Sequence, residues 1–131
     1  MSFEVGVVAH FSAEHHLVGD FGPASAPHSH DYRVDVSVTG ESVRGDGTLF
    51  DITKLQNALT AVITGLDDQN LNEISDLSTS NPTAEVVAHH VYHHIAPALA
   101  HQGLTTLTVR VWESPEAFAS YTDELPTTSR S

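Results

Sequence analysis

The chain has 131 residues, 40% hydrophobic and 17% charged, the composition of one globular domain with enough apolar material for a core. Five Lys+Arg face 17 Asp+Glu, a formal net charge of −12. That is too few cations for a stripe along a nucleic-acid backbone or for an anionic membrane surface, so neither partner is expected. Cysteine is absent, which excludes disulfides, thiolate metal sites and a cysteine nucleophile. The chain shows no twenty-residue apolar run and no basic-then-apolar N-terminus, so a soluble, cytoplasmic protein is the expectation.

Phe3, Val5, Val7, Ala9, Phe11 and Ala13 alternate with mostly polar neighbours, the period of a half-buried strand. Residues 18–27 carry Gly19, Gly22, Pro23 and Pro27 and read as a loop. Tyr32, Val34, Val36 and Val38 mark a second strand, and Asp46-Gly47 a turn, after which Leu49 and Phe50 suggest a short returning strand. From Asp51 the period becomes helical: Leu55, Leu59, Val62, Ile63 and Leu66 share one face, with Asp51 or Thr53 as cap. After an irregular stretch, a second helix is expected to start at Asn81-Pro82, capped by Asn81, with Val87, Val91 and Ile95 as its stripe. Leu107, Val109 and Val111 define a third long strand, and residues 118–122 a last one. The order β-β-α-α-β-β predicts an α+β fold, two helices on one face of an antiparallel sheet. Residues 1–125 form the single expected domain, and residues 126–131 a flexible C-terminal tail.

Ten histidines are the unusual count, because histidine is both the commonest metal ligand and a near-neutral proton carrier. His28-Ser29-His30 precedes the second strand, and residues two apart on an extended segment point the same way. His15 ends the first strand. If the two strands pair antiparallel, three neutral imidazoles meet at one point, the donor set of a catalytic zinc site with an open position. By itself His-x-His is a weak signal and reads first as a pair of exposed loop histidines. In His89-His90-Val91-Tyr92-His93-His94, the i,i+4 pairs have a chelating spacing, yet read first as solvated surface histidines. Asp67-Asp68 follow the first helix and Glu113 follows the third long strand; a carboxylate there can accept from two N–H groups of an amidine-like edge. Glu113 beside Trp112 suits a purine- or pterin-like ring. Helix-terminal and strand-end charges are the plainer readings of the same residues.

Together these pieces resemble the 6-pyruvoyl-tetrahydropterin synthase / 6-carboxytetrahydropterin synthase family. The matching stretches are Phe11-Ser12-Ala13-Glu14-His15, His28-Ser29-His30-Asp31-Tyr32, Gly47-Thr48-Leu49-Phe50-Asp51, Leu66-Asp67-Asp68-Gln69-Asn70-Leu71-Asn72, Asn81-Pro82-Thr83-Ala84-Glu85 and Trp112-Glu113-Ser114-Pro115. They stand in family order over residues 3–122. The resemblance implies a tunnelling fold that oligomerises into a barrel, commonly a hexamer. It also implies zinc (Zn2+) on His15, His28 and His30, a ring anchor at Glu113, and a second substrate contact at Thr83.

Two departures stand beside these matches. The family's catalytic cysteine precedes its His-x-His, whereas this chain has Ala24 or Ser25 in that region and no glutamate substitute between Val18 and Pro27. The family's Leu-Asp-His is here Leu66-Asp67-Asp68. Asp67 and Asp68 are the expected acid/base replacements, because their segment matches the catalytic one. The resulting expectation is a divergent zinc-dependent lyase acting on a pterin or a related polyol or hydroxyketone by enolisation, elimination or carbon–carbon cleavage. The alternative is a non-catalytic zinc protein that binds a pterin- or purine-like ligand.

Overall fold

The computed structural model describes residues 2–126, so residues 127–131 of the expected tail lie outside the described residues. Strand β1 (Phe3–His15) pairs antiparallel along its full length with β2 (His28–Gly40). Helix α1 (Ile52–Thr64) leads to a two-residue strand β3 (Gln69–Asn70), and helix α2 (Ala84–Leu99) leads to β4 (Thr106–Ser114) and β5 (Ala117–Glu124). The sheet order is β3-β1-β2-β4-β5. All pairings are antiparallel except that of β3, which reaches the outer edge of β1 through the α1 crossover and therefore runs parallel to it.

Alternation along the strands decides which face the helices cover. Val34, Val36 and Val38 of β2 and Leu107, Val109 and Val111 of β4 point to one face. There they meet Leu55 and Leu59 of α1 and Val87, Val91 and Ile95 of α2, all fully buried. Helix α1 packs on β1, α2 on β4 and β5, and the two helices touch. The opposite face carries the alternate residues, largely polar: His10, Ser12, Arg33, Asp35, Thr108 and Arg110. No helix among the described residues is long and apolar enough to cross a membrane.

Two local expectations are corrected. Leu49 and Phe50 form no strand; both are buried. The turn before them is closed by the Asp46 carboxylate, which accepts from the Thr48 amide, and Leu49 then packs where Gly40 leaves room for it. A β-carbon on Gly40 would lie 2.6 Å from Leu49 Cδ1, so the glycine permits the approach. The second helix is capped by Thr83, not Asn81: the Thr83 hydroxyl accepts from the Val86 amide at 3.3 Å. Asn81 is engaged elsewhere, as described below. Of the two cap candidates, Asp51 caps α1, accepting from the Thr53 amide.

Candidate metal centre

The β1–β2 register places His15 opposite His28 and Ala13 opposite His30. With a side-chain period of two, all three imidazoles then fall on the helix-covered face at one end of the sheet. Their ring centroids are 4.5, 4.9 and 5.1 Å apart. One ring nitrogen from each lies within 4.8 Å of the other two. His15 is buried, at 2% exposure, and His28 and His30 are half-buried.

Two of the rings are oriented by carbonyl oxygens, which can only accept. His15 Nδ1 therefore donates to the Pro82 carbonyl at 2.8 Å, and His28 Nδ1 donates to the Ala26 carbonyl at 2.9 Å. Each bond fixes the tautomer and leaves Nε2 with a free lone pair, the usual outer arrangement of a metal-ligating histidine. His30 differs. Its Nε2 is shielded from solvent and has no hydrogen-bond partner among the described residues, although Glu113 Oε2 stands 3.4 Å away. An unpartnered buried nitrogen costs about 1–3 kcal/mol. A cation shared by the three rings would satisfy it, and at zinc–nitrogen bond lengths the ligand atoms would close to about 3.4 Å from one another. Burial holds His15 below the ordinary imidazole pKa, opposed by its bond to Pro82 and reinforced by His28. His15 is therefore neutral and available as a ligand near pH 7. These residues fit a zinc ion.

Two asparagines, Asn72 and the displaced cap candidate Asn81, hold the chain beyond His15. Asn72 accepts from the His16 amide at 2.9 Å and donates to the His16 carbonyl at 3.0 Å. Asn81 does the same at Val18, at 2.7 and 3.1 Å. Each side-chain amide thus stands in for a neighbouring strand where β1 has run out of one. Asn81 also precedes Pro82, so one short segment steadies both the ligand loop and the carbonyl that orients His15. Both stand in the matched stretches, and neither position signals a bond back to the loop after β1.

Glu113 sits at a bulge: β4 and β5 slip register between Trp112, opposite Phe118, and Ser114, opposite Ala117. Bulges re-aim side chains, and here the carboxylate lies beside His30. Trp112, by contrast, does not share its side. Neighbours on a strand face opposite ways, and the Trp112 indole donates to Asp35 at 2.9 Å, with the Arg33 guanidinium 5.6 Å from its ring centroid. The expectation that Trp112 and Glu113 flank one ring is corrected accordingly.

Thr83 caps α2 one residue beyond Pro82, at the margin of the histidine group. Asp67 accepts from the Ser12 amide at 3.0 Å, and the Asp68 amide donates to the Ser12 carbonyl at 2.7 Å. Both aspartates therefore extend the pairing on the outer edge of β1 just ahead of β3. Asp68 has a left-handed backbone (φ 58) and lines a groove with Ser12, Glu14 and Ser29, on the face opposite the histidines. In the rebuilt loop, the Ser25 hydroxyl donates to the Gly19 carbonyl and accepts from the Phe21 amide. His89, His93 and His94 are exposed, as surface histidines should be.

Two helices on one face of a five-stranded sheet give the chain the layout of a tunnelling-fold α+β subunit. The structure matches the 6-pyruvoyl tetrahydropterin synthase of Caenorhabditis elegans at a TM-score of 0.80 and 24% identity, covering 94% of this chain and 96% of that one. It matches the Plasmodium vivax enzyme of the same name at 0.80 and 18%, covering 95% and 99%. The family model described as 6-pyruvoyl tetrahydropterin synthase matches residues 4–124, and the chain belongs to that family. It is also similar to the 6-carboxy-5,6,7,8-tetrahydropterin synthase of Bacillus subtilis, 29% identical over 127 residues, 92% of this chain and 85% of that protein. The Drosophila melanogaster 6-pyruvoyl tetrahydrobiopterin synthase is 30% identical over 101 residues, 76% of this chain and 60% of that protein.

Proposed function

We propose that this protein is a zinc-dependent lyase with an altered acid/base set, acting on a pterin or a related polyol or hydroxyketone. The observation that carries the reading is the His15, His28 and His30 cluster, with an unpartnered His30 Nε2 and the Glu113 carboxylate beside it. The three histidines would hold zinc, which supplies Lewis-acid polarisation of a hydroxyl or keto oxygen. The Pro82 and Ala26 carbonyls keep two of the imidazoles in the ligating tautomer. Glu113 accepts from the two N–H groups of the ring's amidine edge, which a carboxylate can do in a bidentate way. Thr83 is a second contact. The proton-transfer role expected of Asp67 and Asp68 is not supported within one chain, because Asp67 is bonded to the Ser12 amide and Asp68 lies on the face opposite the histidines.

Substrate charge follows from the cations. Arg33 and Arg110 are both drawn to Asp35, at 3.5 and 3.6 Å, on the face opposite the histidines, and Arg44 is bonded to Thr48 in the 41–50 loop. A triphosphate would need such groups at the site. The reading is therefore a substrate with few phosphates or none, and tight binding of dihydroneopterin triphosphate but not of dihydroneopterin would overturn that part. A homo-oligomer, hexameric as in the family, is supported by the open sheet edges. Among the described residues, β3 covers only Ala13 and Glu14 of β1, and β5 is the last strand on the other side. Unpaired edges of this length call for a partner strand.

A second reading, a ligand-binding relative without turnover, is favoured by one observation: the Asp67 carboxylate and the Ser25 hydroxyl are engaged in structural hydrogen bonds. Losing a general acid or base costs about 10² to 10⁴ in rate. Incubating zinc-loaded protein with dihydroneopterin and following new pterins by mass spectrometry separates the two. Product formed by wild type but not by His28→Ala supports the lyase; binding without conversion supports the ligand-binding protein.

A further inference from the structure

Outside the sheet-end centre, the histidine-rich stretch of α2 contains two pairs that the structure treats differently. His89 and His93 face each other, Nε2 to Nε2 at 2.9 Å, so each nitrogen already has a partner. They also pack on Tyr121 of β5, with centroid separations of 4.7 and 6.3 Å. His90 and His94 turn to the other side. His94 Nδ1 donates to the His90 carbonyl at 2.9 Å, which fixes its tautomer and points Nε2 outward. There it meets Asp76, from the connection before α2, at 3.9 Å. One ligand atom each from Asp76, His90 and His94 lies within 4.8 Å of the other two. The separation of 3.9 Å is too long for a hydrogen bond. It approaches the edge of about 3.4 Å between two ligands of a tetrahedral zinc ion.

We propose that Asp76, His90 and His94 form a second binding site, for a divalent transition-metal ion such as zinc. Two imidazoles and one carboxylate are a borderline-soft donor set that suits zinc, copper or nickel over magnesium or calcium. The site bridges two elements: His90 and His94 stand on α2, and Asp76 belongs to the 71–83 connection that carries Asn72, Asn81 and Pro82. A bound ion would staple that connection to the helix. The proposal does not rest on the proposed function, because no residue is shared between the two centres.

The test is zinc stoichiometry and affinity of the full chain, measured by competition with a chromophoric chelator. Wild type binds two equivalents. His94→Ala retains one, Asp76→Asn weakens the second by about tenfold, and His89→Ala changes neither. Zinc also slows amide exchange across residues 71–83 in wild type but not in His94→Ala. One equivalent in wild type, lost in His28→Ala and kept in His94→Ala, overturns the proposal and leaves the sheet-end centre standing. The converse pattern overturns the sheet-end centre alone. Equal losses from His89→Ala and His94→Ala, or an affinity untouched by Asp76→Asn, also overturn the proposal.

Discussion

The two histidine groups use the same side chain on different supports. At the sheet end, His15, His28 and His30 come from two strands, and backbone carbonyls of Pro82 and Ala26 hold two of the rings. On α2, four histidines come from six consecutive positions, and three of them are exposed. Helical spacing brings i and i+4 together whatever the rest of the chain does. A strand register brings together residues far apart in sequence only if the whole fold is right. The first group is therefore pre-oriented, with ring rotation already restricted before any ion arrives. The second is local, and its rings keep more freedom to lose on binding.

The largest difference is expected on removing a pre-oriented ligand. His28→Ala should weaken zinc binding at the sheet-end centre by about a hundredfold or more and abolish turnover together with it. Metal content after dialysis and product formation are the readouts; retained zinc with lost turnover would separate the metal from the chemistry. Glu113→Ala should keep zinc but weaken pterin binding by about ten- to a hundredfold, the worth of a charge-assisted pair. Calorimetric titration with dihydroneopterin checks this, and unchanged affinity would remove Glu113 from the anchoring role.

A smaller effect is expected from the support itself. Asn81→Ala leaves all three ligands in place but frees Val18 and loosens the segment bearing Pro82. Zinc affinity at the sheet-end centre should fall by about tenfold, as for outer-shell changes generally. His89→Ala, on the local group, should leave that affinity unaltered. Equal effects of the two variants on sheet-end zinc would erase the contrast drawn above.

The smallest effect is on stability without metal. The folded-state pKa of His15 lies below the ordinary imidazole value of 6.5, chiefly through burial. The unfolded chain therefore binds more protons as pH falls from 6.5 towards the folded value. The His15 contribution is fully present above 6.5 and is lost on acidification through that window. The melting temperature of the zinc-free protein should decline on acidification from about pH 7.5 to about pH 5. A rise would contradict the burial of a neutral His15.

The strands and helices were legible because their periods are set by burial: Val34, Val36 and Val38 alternate, and Leu55, Leu59 and Ile63 recur helically. His-x-His and His15 were legible as a convergent group because a strand period of two fixes the side on which each ring emerges. What escaped were contacts made by backbone atoms or by distant segments. Nothing in Asn81-Pro82-Thr83 announces that Thr83 caps the helix while Asn81 reaches back to Val18 and the Pro82 carbonyl holds His15. Trp112 is adjacent to Glu113 in sequence but not in space, because a strand sends neighbours to opposite faces, and its indole bonds Asp35 instead. Asp76, fourteen residues before His90, had no periodic relation to it and entered only through the fold.

The central claim is that the sheet-end triad is a working catalytic centre. It is tested most directly by a time course of zinc-loaded wild type and His28→Ala with dihydroneopterin, analysed by mass spectrometry. The account predicts a new pterin that accumulates with wild type and is absent with His28→Ala. Unchanged dihydroneopterin with fully zinc-loaded wild type, or the same product from both proteins, would contradict it.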